Sequence, residues 1–303
     1  MSVQQPTPNP TPESLIPVRL LQLGGVDSGL SQALYHGIAE GMTVATPDTV
    51  IVCRPRTPYL SLGHHQRLEE VVDLDECRTR ELPVFRRRVG GGLTYLDSGQ
   101  LFYQCIFHHS RLASATAAIY ERLLAAPVAA LSRLGLNATR RADNEIEVDG
   151  RRVAGVGGAR LGEACVVVGN ILMSFDFEAM TAVWNTPGES FRQLAGETLR
   201  ARLITLEERL PDFSRGELEA ALVQEFGRCL GRPLQAGEPT AAEWDLTHEF
   251  SRRMSSPEYL ALHTEDQQVE PMTRLKISAG VFVQAHEGHA RLVAAEQTSA
   301  VGC

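Results

Sequence analysis

Lysine is almost absent from this chain of 303 residues. Of its 29 basic residues only Lys276 is a lysine, and all the others are arginines. Nothing that residues 1–275 do can therefore involve an ε-amino group. Wherever a cation is needed in that region, the planar and permanently charged guanidinium of arginine has to supply it.

Three further absences narrow the class of protein. The six cysteines are scattered and form no C-x-x-C pair, which argues against a zinc site and against a disulfide framework. No stretch approaches the roughly 18 apolar residues that a membrane-spanning helix needs. The first 17 residues contain five prolines and no basic start, so they predict a disordered tail and not a targeting signal. We therefore expect a cytoplasmic protein with reduced thiols and no membrane partner.

The net charge of −8 argues against a nucleic-acid partner. Its distribution along the chain is uneven. Between Arg86 and Arg160 there are eleven arginines and six acidic residues, a local net charge of +5, which leaves −13 for the remainder. A basic middle in an acidic protein favours an anionic ligand or an acidic partner.

What the chain does have is a concentrated arginine–glycine segment, residues 86–92. Three arginines (86–88) are followed after one valine by three glycines (90–92). Glycines lack a β-carbon, so a ligand can lie against their backbone N–H groups. The neighbouring guanidinium groups are suited to carboxylate or phosphate. The segment therefore predicts a site for an anionic small molecule.

Strand-like and helix-like stretches are interspersed along the chain, with hairpins in place of regular βαβ crossovers. Residues 145–156 contain Asp149-Gly150, a strong signal for a two-residue hairpin turn. A long helix is predicted over residues 113–136 with a kink at Pro127, an acidic amphipathic helix over 68–82, and a strand over 164–175 that is interrupted at Gly169-Asn170. This order predicts the α+β class with a mixed or mostly antiparallel sheet.

A stretch containing glycine and proline at residues 231–238 predicts a domain boundary. It divides the chain into the tail (1–17), a main domain (18–235) and a small C-terminal module (236–303). Lys276 lies in a predicted hairpin of that module and is expected to be a solvated strand residue. Paired histidines at 64–65 and 108–109 would point to opposite faces of a strand with no third ligand nearby, so no metal site made of protein side chains is expected.

Several segments, in consistent order, resemble the lipoate–protein ligase and octanoyltransferase family. The arginine–glycine segment with Asp97 is similar to the family's pocket motif, and residues 61–66 (SLGHHQ) to its small-residue-Gly-x-x-Gln turn. Residues 143–155 (DNEIEVDGRRVAG) resemble its Asn-Asp hairpin ending in Lys-x-x-Gly. Residues 169–172 and 252–259 resemble its His-Gly-Thr-x-Leu strand and the Ser-Ser-x-Glu-Trp segment that opens an accessory domain. The chain is identified as a divergent member, which implies a class II synthetase or biotin–lipoate ligase-like mixed sheet flanked by helices, with a small accessory module.

The resemblance also implies an activity. ATP would activate lipoate or octanoate as a mixed anhydride, with Mg²⁺, and the acyl group would pass to a lysine of an acceptor lipoyl domain. Arg152 would be the catalytic cation. The implied ligand-binding residues are Arg87, Gly90, Gly91, Gly92, Thr94, Asn144 and Gly155. A lipoyl domain is usually acidic and would suit the basic region 86–160; because the C-terminal module is short, a separate accessory subunit is a second expected partner.

Four positions depart from the family pattern. Arg152 stands where the family has lysine, and its guanidinium keeps the charge without the compact geometry of an ammonium. Apolar residues replace two histidines and one serine or threonine; these are Leu96, Val168 and Val89 respectively. The chain is thus either a divergent ligase that uses Arg152 as its cation, or a non-catalytic relative that binds an acyl or nucleotide ligand or a partner protein.

An octanoyltransferase is the third alternative. The octanoyltransferases that use a cysteine carry it at positions that correspond to 135–143, and this chain has no cysteine there. Cys165 lies in the apolar run 164–168 and is expected to be a core residue.

Overall fold

The computed structural model of the chain describes residues 16–142, 144–263, 271–286 and 289–294. None of the helices within these ranges is long and apolar enough to cross a membrane. In chain order, the strands of the described residues are β1 (Val18–Val26), β2 (Thr49–Pro55), β3 (Tyr59–Leu62), β4 (Val84–Arg86), β5 (Thr94–Leu96), β6 (Gln100–His108), β7 (Ala138–Arg141), β8 (Glu145–Val148), β9 (Arg151–Leu161), β10 (Ala164–Leu172), β11 (Leu234–Ala236), β12 (Arg274–Ser278), β13 (Val281–His286) and β14 (His289–Ala294).

The helices of the same ranges are α1 (Ser28–Glu40), α2 (Leu68–Val71), α3 (Leu74–Thr79), α4 (Thr116–Arg133), α5 (Phe177–Ala182), α6 (Glu189–Arg202), α7 (Leu206–Arg209), α8 (Arg215–Leu230), α9 (Ala241–Arg253) and α10 (Pro257–Leu260), and a 3-10 turn covers His109–Arg111.

A large mixed sheet forms the centre of the molecule, with the strand order β11-β1-β2-β6-β10-β9-β8-β7. Strand β1 pairs in parallel with β2 and β11, and the remaining neighbours are antiparallel. At the β8–β9 turn Asp149 and Gly150 both have positive φ, 52° and 75°, as the Asp-Gly signal predicts. The α+β class with a mixed sheet is confirmed.

Helices cover both faces of this sheet because its central strands alternate between two cores. On β2, Val50 and Val52 pack into the core that α4 and α8 complete. Ile51 and Cys53 point the other way, into the core that α1 completes. Strands apolar on both faces need a helix layer on each side, and this is the arrangement of the large sheet.

One helix prediction was wrong in detail. The long helix is present as α4, which continues through Pro127, and the kink at that residue stays a prediction. The single helix predicted over residues 68–82 is instead two short helices, α2 and α3, because Val72 is extended and bridges to Trp184. The Asp73 side chain then accepts from the backbone N–H of Glu76 and starts α3 as its N-cap.

Strand β10 is continuous where an interruption at residues 169–170 was predicted. It pairs with β6 on one side and β9 on the other along its whole length. Gly169 has a packing reason to be glycine, since a β-carbon there would lie 2.3 Å from the Tyr103 ring. A glycine inside a strand thus marks a close approach here, and not the end of the strand.

Two small sheets complete the fold, β4-β3-β5 and β12-β13-β14. The second packs Met272, Ile277, Val281 and Val283 into a core shared with α6. The predicted boundary at residue 235 stays a prediction. Past that residue, β11 still pairs with β1 and α9 lies on α1, so closely that a β-carbon on Gly37 would be 2.3 Å from Thr247 Oγ1.

Candidate active site

A cavity of about 420 Å³ lies where the glycine loop (residues 90–92), strands β9 and β10 of the large sheet, and strand β12 meet. All eight residues that the sequence singled out for catalysis or binding line it; they are Arg87, Gly90, Gly91, Gly92, Thr94, Asn144, Arg152 and Gly155. These residues come from three separate stretches of the chain, so their convergence is a property of the fold.

The glycine loop is shaped by Arg87, whose side chain is 9% exposed. All three of its side-chain nitrogens donate hydrogen bonds to protein oxygens: Nε to Gly90 O, Nη1 to Ser61 O at 2.7 Å, and Nη2 to Gly90 O and Gly92 O at 2.9 and 2.8 Å. Burial lowers the pKa of Arg87 from its usual value. Arg87 therefore lies at the cavity but contributes to it by fixing the loop.

The loop also fits tightly against the turn at residues 63–66. Gly91 has a φ of 97°, a conformation that favours glycine. A β-carbon on Gly63 would lie 1.9 Å from Gly91 O, so both positions need glycine. The glycines thus bring bare backbone to the cavity and also allow the two loops to pack.

The other two arginines of the arginine–glycine segment do not line the cavity. Arg86 is fully buried, and burial lowers its pKa from the usual value. Its guanidinium donates to backbone carbonyls of two chain segments, namely those of Gly63, His64, Gln66, Tyr259, Leu260 and Leu262. Arg88 forms an ion pair with Glu40, and its backbone N–H donates to His36 Nε2 at 3.0 Å. Of the three arginines from which an anion site was predicted, only Arg87 therefore lines the cavity.

Arg152 is the predicted cation that does face the cavity. Its side chain is 24% exposed, and Nη1 lies 3.4 Å from Glu145 Oε1. Glu145 is buried, and its Oε2 atom has no hydrogen-bond partner among the described residues. Asn144 precedes Glu145 in the chain. A β-carbon placed on Gly155 would lie 3.5 Å from Asn170 Oδ1. This corner of the cavity is a compact polar group.

Two cavity cations were missed by the sequence reading. Arg274 and Lys276 of β12 both line the cavity and are exposed. They are two residues apart on one strand and so share a face. The Arg274 guanidinium lies 4.2 Å from the centre of the Phe282 ring. The sequence predicted one alternating run over residues 275–284, which in the structure is divided into strands β12 and β13. It contained no signal that this segment lies on the cavity.

The remaining wall is apolar. The buried cavity residues that belong to one contiguous hydrophobic cluster are Val71, Leu172, Met180, Trp184, Leu199, Leu203, Met272 and Ile277. Three more apolar side chains, Val89, Leu96 and Val168, occupy the positions where the family pattern has polar residues. Val89 is tightly packed, because a β-carbon placed on Gly157 would lie 2.9 Å from Val89 Cγ1. The cavity can thus hold an aliphatic chain beside a charged group.

Cysteine does not contribute to this cavity in the described part of the chain. Cys53, Cys77 and Cys105 are buried, and burial raises the pKa of each thiol. Cys165 lies on β10 opposite Phe107 of β6. The described cavity therefore lacks a thiol that could form a thioester.

The histidines differ from expectation. His263 comes within 5.6 and 5.8 Å of His64 and His65, measured between ring centres, and the latter two rings are 4.8 Å apart. The prediction that no third ligand lies near His64 and His65 was therefore wrong. The other pair, His108 and His109, lies beside Glu163.

The fold and the cavity define a mixed-sheet protein with an apolar pocket beside a glycine loop and several cations. The family described as the lipoyl protein ligase A/B catalytic domain matches residues 29–227. The chain belongs to this family.

The curated relatives include lipoate-protein ligases and octanoyltransferases. The chain is 26% identical over 209 residues to lipoate-protein ligase A subunit 1 of Thermoplasma acidophilum, covering 65% of this chain and 79% of that protein. It is 25% identical over 267 residues to octanoyltransferase LipM of Kyrpidia tusciae, covering 80% of this chain and 97% of that protein.

Solved structures show the same class II synthetase-like fold. A structure of the bi-partite lipoate protein ligase and its E2 lipoyl domain from T. acidophilum matches with a TM-score of 0.75 at 24% identity, covering 83% of this chain and 99% of that chain. A lipoate-protein ligase A bound with ATP matches with a TM-score of 0.69 at 23% identity, covering 81% of this chain and 99% of that chain.

Proposed function

We propose that this protein activates lipoate or octanoate with ATP and transfers the acyl group to a lysine of an acceptor lipoyl domain. The observation that carries the proposal is the composition of the cavity, in which a contiguous apolar wall adjoins a bare glycine loop and exposed cations. The apolar wall suits the acyl chain, and the loop and the cations suit its carboxylate and the phosphates.

The reaction has two steps. In the first, a carboxylate oxygen of the fatty acid attacks the α-phosphorus of ATP, the bond to the β-phosphate oxygen breaks, and pyrophosphate leaves. In the second, the amine of the acceptor lysine attacks the acyl carbonyl, loses a proton, and AMP leaves. Both transition states place negative charge on oxygen atoms, which fixed donors and cations stabilise.

The cavity residues divide these tasks. Backbone N–H groups of residues 90–92 approach the anionic oxygens, Arg152 supplies positive charge, and Asn144 with Thr94 adds polar contacts. Arg87 is a positioning residue, because its nitrogens already bind loop and Ser61 oxygens. Gly155 keeps the floor of the site free of a side chain.

Mg²⁺ belongs to this chemistry as the ion that ATP carries. Glu145 Oε2, which is buried and has no partner among the described residues, fits one ligand position, and Asn144 beside it fits a second. These residues would hold the ion, which when bound neutralises charge on the phosphates.

A ligase fits this cavity better than a cysteine-dependent octanoyltransferase. Both activities occur among the relatives. A transferase that works through a thioester needs a thiol at the acyl carbonyl, whereas no cysteine lines the described cavity. An ATP-dependent route uses the carboxylate itself as nucleophile and needs no thiol.

The proposed acceptor is a lipoyl domain, and the related archaeal ligase was solved with its E2 lipoyl domain. The local net charge of +5 between Arg86 and Arg160 suits an acidic partner. A separate accessory subunit remains part of the proposal, since the related ligase is bi-partite. Residues 272 and 274–277 of the chain itself nevertheless line the cavity.

The test incubates the protein with ATP, Mg²⁺, octanoate or lipoate and an apo lipoyl domain, and weighs the domain by mass spectrometry. We expect an acyl mass gain that depends on ATP and disappears when the acceptor lysine is replaced. Transfer from an octanoyl carrier protein without ATP would establish the transferase instead. No gain with any donor, together with no pyrophosphate release, would establish a non-catalytic acyl- or nucleotide-binding protein.

A further inference from the structure

The chain's one lysine lies on the wall of the cavity. Lys276 is at the middle of β12, exposed, and among the residues that line the site. No hydrogen bond or ion pair joins its ammonium to a described residue. The lone lysine of an arginine-rich chain thus lies at the exposed edge of the cavity.

The other cavity cations are already engaged. Arg87 donates from every side-chain nitrogen to the glycine loop and Ser61. Arg152 is paired with Glu145, and Arg274 lies over the Phe282 ring. Among the described cavity residues, Lys276 is therefore the cation that is most available to a ligand.

The position of Lys276 is set by the fold. Lys276 pairs with Phe282 in the β12–β13 ladder. The next residue, Ile277, is 2% exposed and packs with Val281 and Val283 into the core shared with α6. Alternation along the strand then turns Ile277 inward and leaves Lys276 on the other face.

We propose that Lys276 binds the ligand's anionic oxygens during activation, supplying the compact ammonium that the site otherwise lacks. This inference rests on the proposed function. It assigns a cation of the activation step to the C-terminal module. Lys276 donates hydrogen bonds to the attacking carboxylate and the α-phosphate while the bond to pyrophosphate breaks.

The scarcity of lysine provides a direct test. An amine-reactive acetylating reagent can modify Lys276 and the chain's α-amino group, and mass spectrometry separates the two. We expect ATP with Mg²⁺ and octanoate to lower the modification of Lys276 several-fold while the α-amino group reacts as before. A matched control carries Lys276→Arg with Arg291→Lys, which moves the lysine to exposed β14, outside the cavity lining; ATP should not protect it.

Equilibrium dialysis with labelled ATP separates failure of this inference from failure of the proposed function. Bound ATP with unprotected Lys276 overturns the assignment of Lys276 and leaves the ligase proposal standing. No ATP binding overturns both.

A second, independent feature is the group of three imidazoles formed by His64, His65 and His263. Their potential ligand nitrogens all lie within 4.8 Å of one another. His64 Nδ1 has no hydrogen-bond partner among the described residues. Arg86 brings the two chain segments together, because it donates to His64 O on one side and Leu262 O on the other.

We infer that these three histidines bind a divalent transition-metal ion, for which imidazole is a preferred ligand. Zinc serves as the probe, since three protein ligands and water complete its tetrahedral shell. The second group in the chain differs in a way that makes it the control. His109 Nε2 is 2.8 Å from Glu163 Oε2 and His108 Nδ1 is 2.7 Å from Ser110 Oγ, so these ring nitrogens already have partners.

Titration of the intact chain with Zn²⁺, followed by calorimetry, tests this site without any activity measurement. We expect a single equivalent to bind to the wild-type chain and to His109→Ala, and this binding to be lost in His263→Ala. Equal binding by all three, or no zinc bound by the wild-type chain, contradicts the inference.

Discussion

The arginine–glycine segment and strand β12 carry cations that lie close together in the fold and serve opposite purposes. In the segment, Arg86 and Arg87 are buried and donate to protein oxygens. On β12, Arg274 and Lys276 are exposed on the cavity wall. The arginine–glycine segment has the stronger sequence signal for binding an anion, but its arginines mainly hold the site together. Strand β12 has the weaker signal and supplies the accessible cations.

The difference follows from the backbone around each cation. The carbonyls that Arg86 binds belong to the turn at residues 63–66 and to the end of α10, where regular partners are missing. The backbone of β12 pairs with β13 and has little need of a side-chain donor. A cation beside irregular backbone is drawn inward, and one on a paired strand stays available to a ligand.

Removing Arg86 should have the largest effect, on stability. Arg86→Met removes a donor from six carbonyls. Two of them, Gly63 O and Tyr259 O, keep a backbone N–H donor, and the other four lose theirs, at about 1–3 kcal/mol for each that stays buried and unpaired. The sum rivals the whole stability of a domain, about 5–15 kcal/mol. We expect the variant not to give a cooperative melt by circular dichroism. Arg88→Met, which removes a partly exposed ion pair with Glu40, is the control and should cost less than about 1 kcal/mol; similar melts for both would contradict the role of Arg86.

Removing Arg152 should lower both stability and activity. Arg152→Met leaves the buried Glu145 carboxylate without its cation, which costs about 3 kcal/mol. Adding Glu145→Gln should restore the urea midpoint, because no unpaired buried charge then remains. Because Glu145 is also the proposed Mg²⁺ ligand, the reference for activity is Glu145→Gln alone, and the double variant should release pyrophosphate more slowly than that reference if the charge of Arg152 acts on the ligand. Arg152→Lys should retain the pair and release pyrophosphate at least as fast as the wild type. Full activity in Arg152→Met would exclude its catalytic role.

Much of this comparison could be predicted from the sequence, and its failures have a common cause. The Asp149-Gly150 hairpin and the mixed sheet follow from local patterns that constrain local geometry. The eight cavity residues came from the resemblance of several segments to one family. The partners of Arg86 and the placement of Lys276 and His263 depend on contacts between distant segments, for which a single sequence carries no local signal. The sequence therefore predicted which residues line the cavity better than what each residue does there.

Removing Lys276 should affect activity alone. Lys276→Met should slow pyrophosphate release by about 10²–10³-fold, the usual cost of losing one donor to developing charge. Its melting temperature should match the wild type, because the side chain is exposed and has no partner among the described residues. Lys276→Arg should recover part of the rate, and Arg291→Met on β14 should change neither quantity. Unaltered turnover in Lys276→Met would contradict the role of Lys276 and leave Arg152 as the cation of the reaction.

The smallest expected effect is the contribution of His36, which contacts the backbone of Arg88, to the pH dependence of stability. Burial lowers the pKa of His36 from 6.5 to about 3, and neutral His36 Nε2 accepts from the Arg88 backbone N–H. Because the unfolded chain then binds a proton that the folded chain does not, this contribution is complete above pH 6.5 and is lost as the pH falls toward 3. At pH 5 the loss reaches about 2 kcal/mol. Urea unfolding at pH 7.5 and pH 5 should show a smaller difference in the free energy of unfolding for His36→Gln, which keeps an acceptor but does not titrate; an equal difference in both proteins would assign the acid sensitivity to other groups.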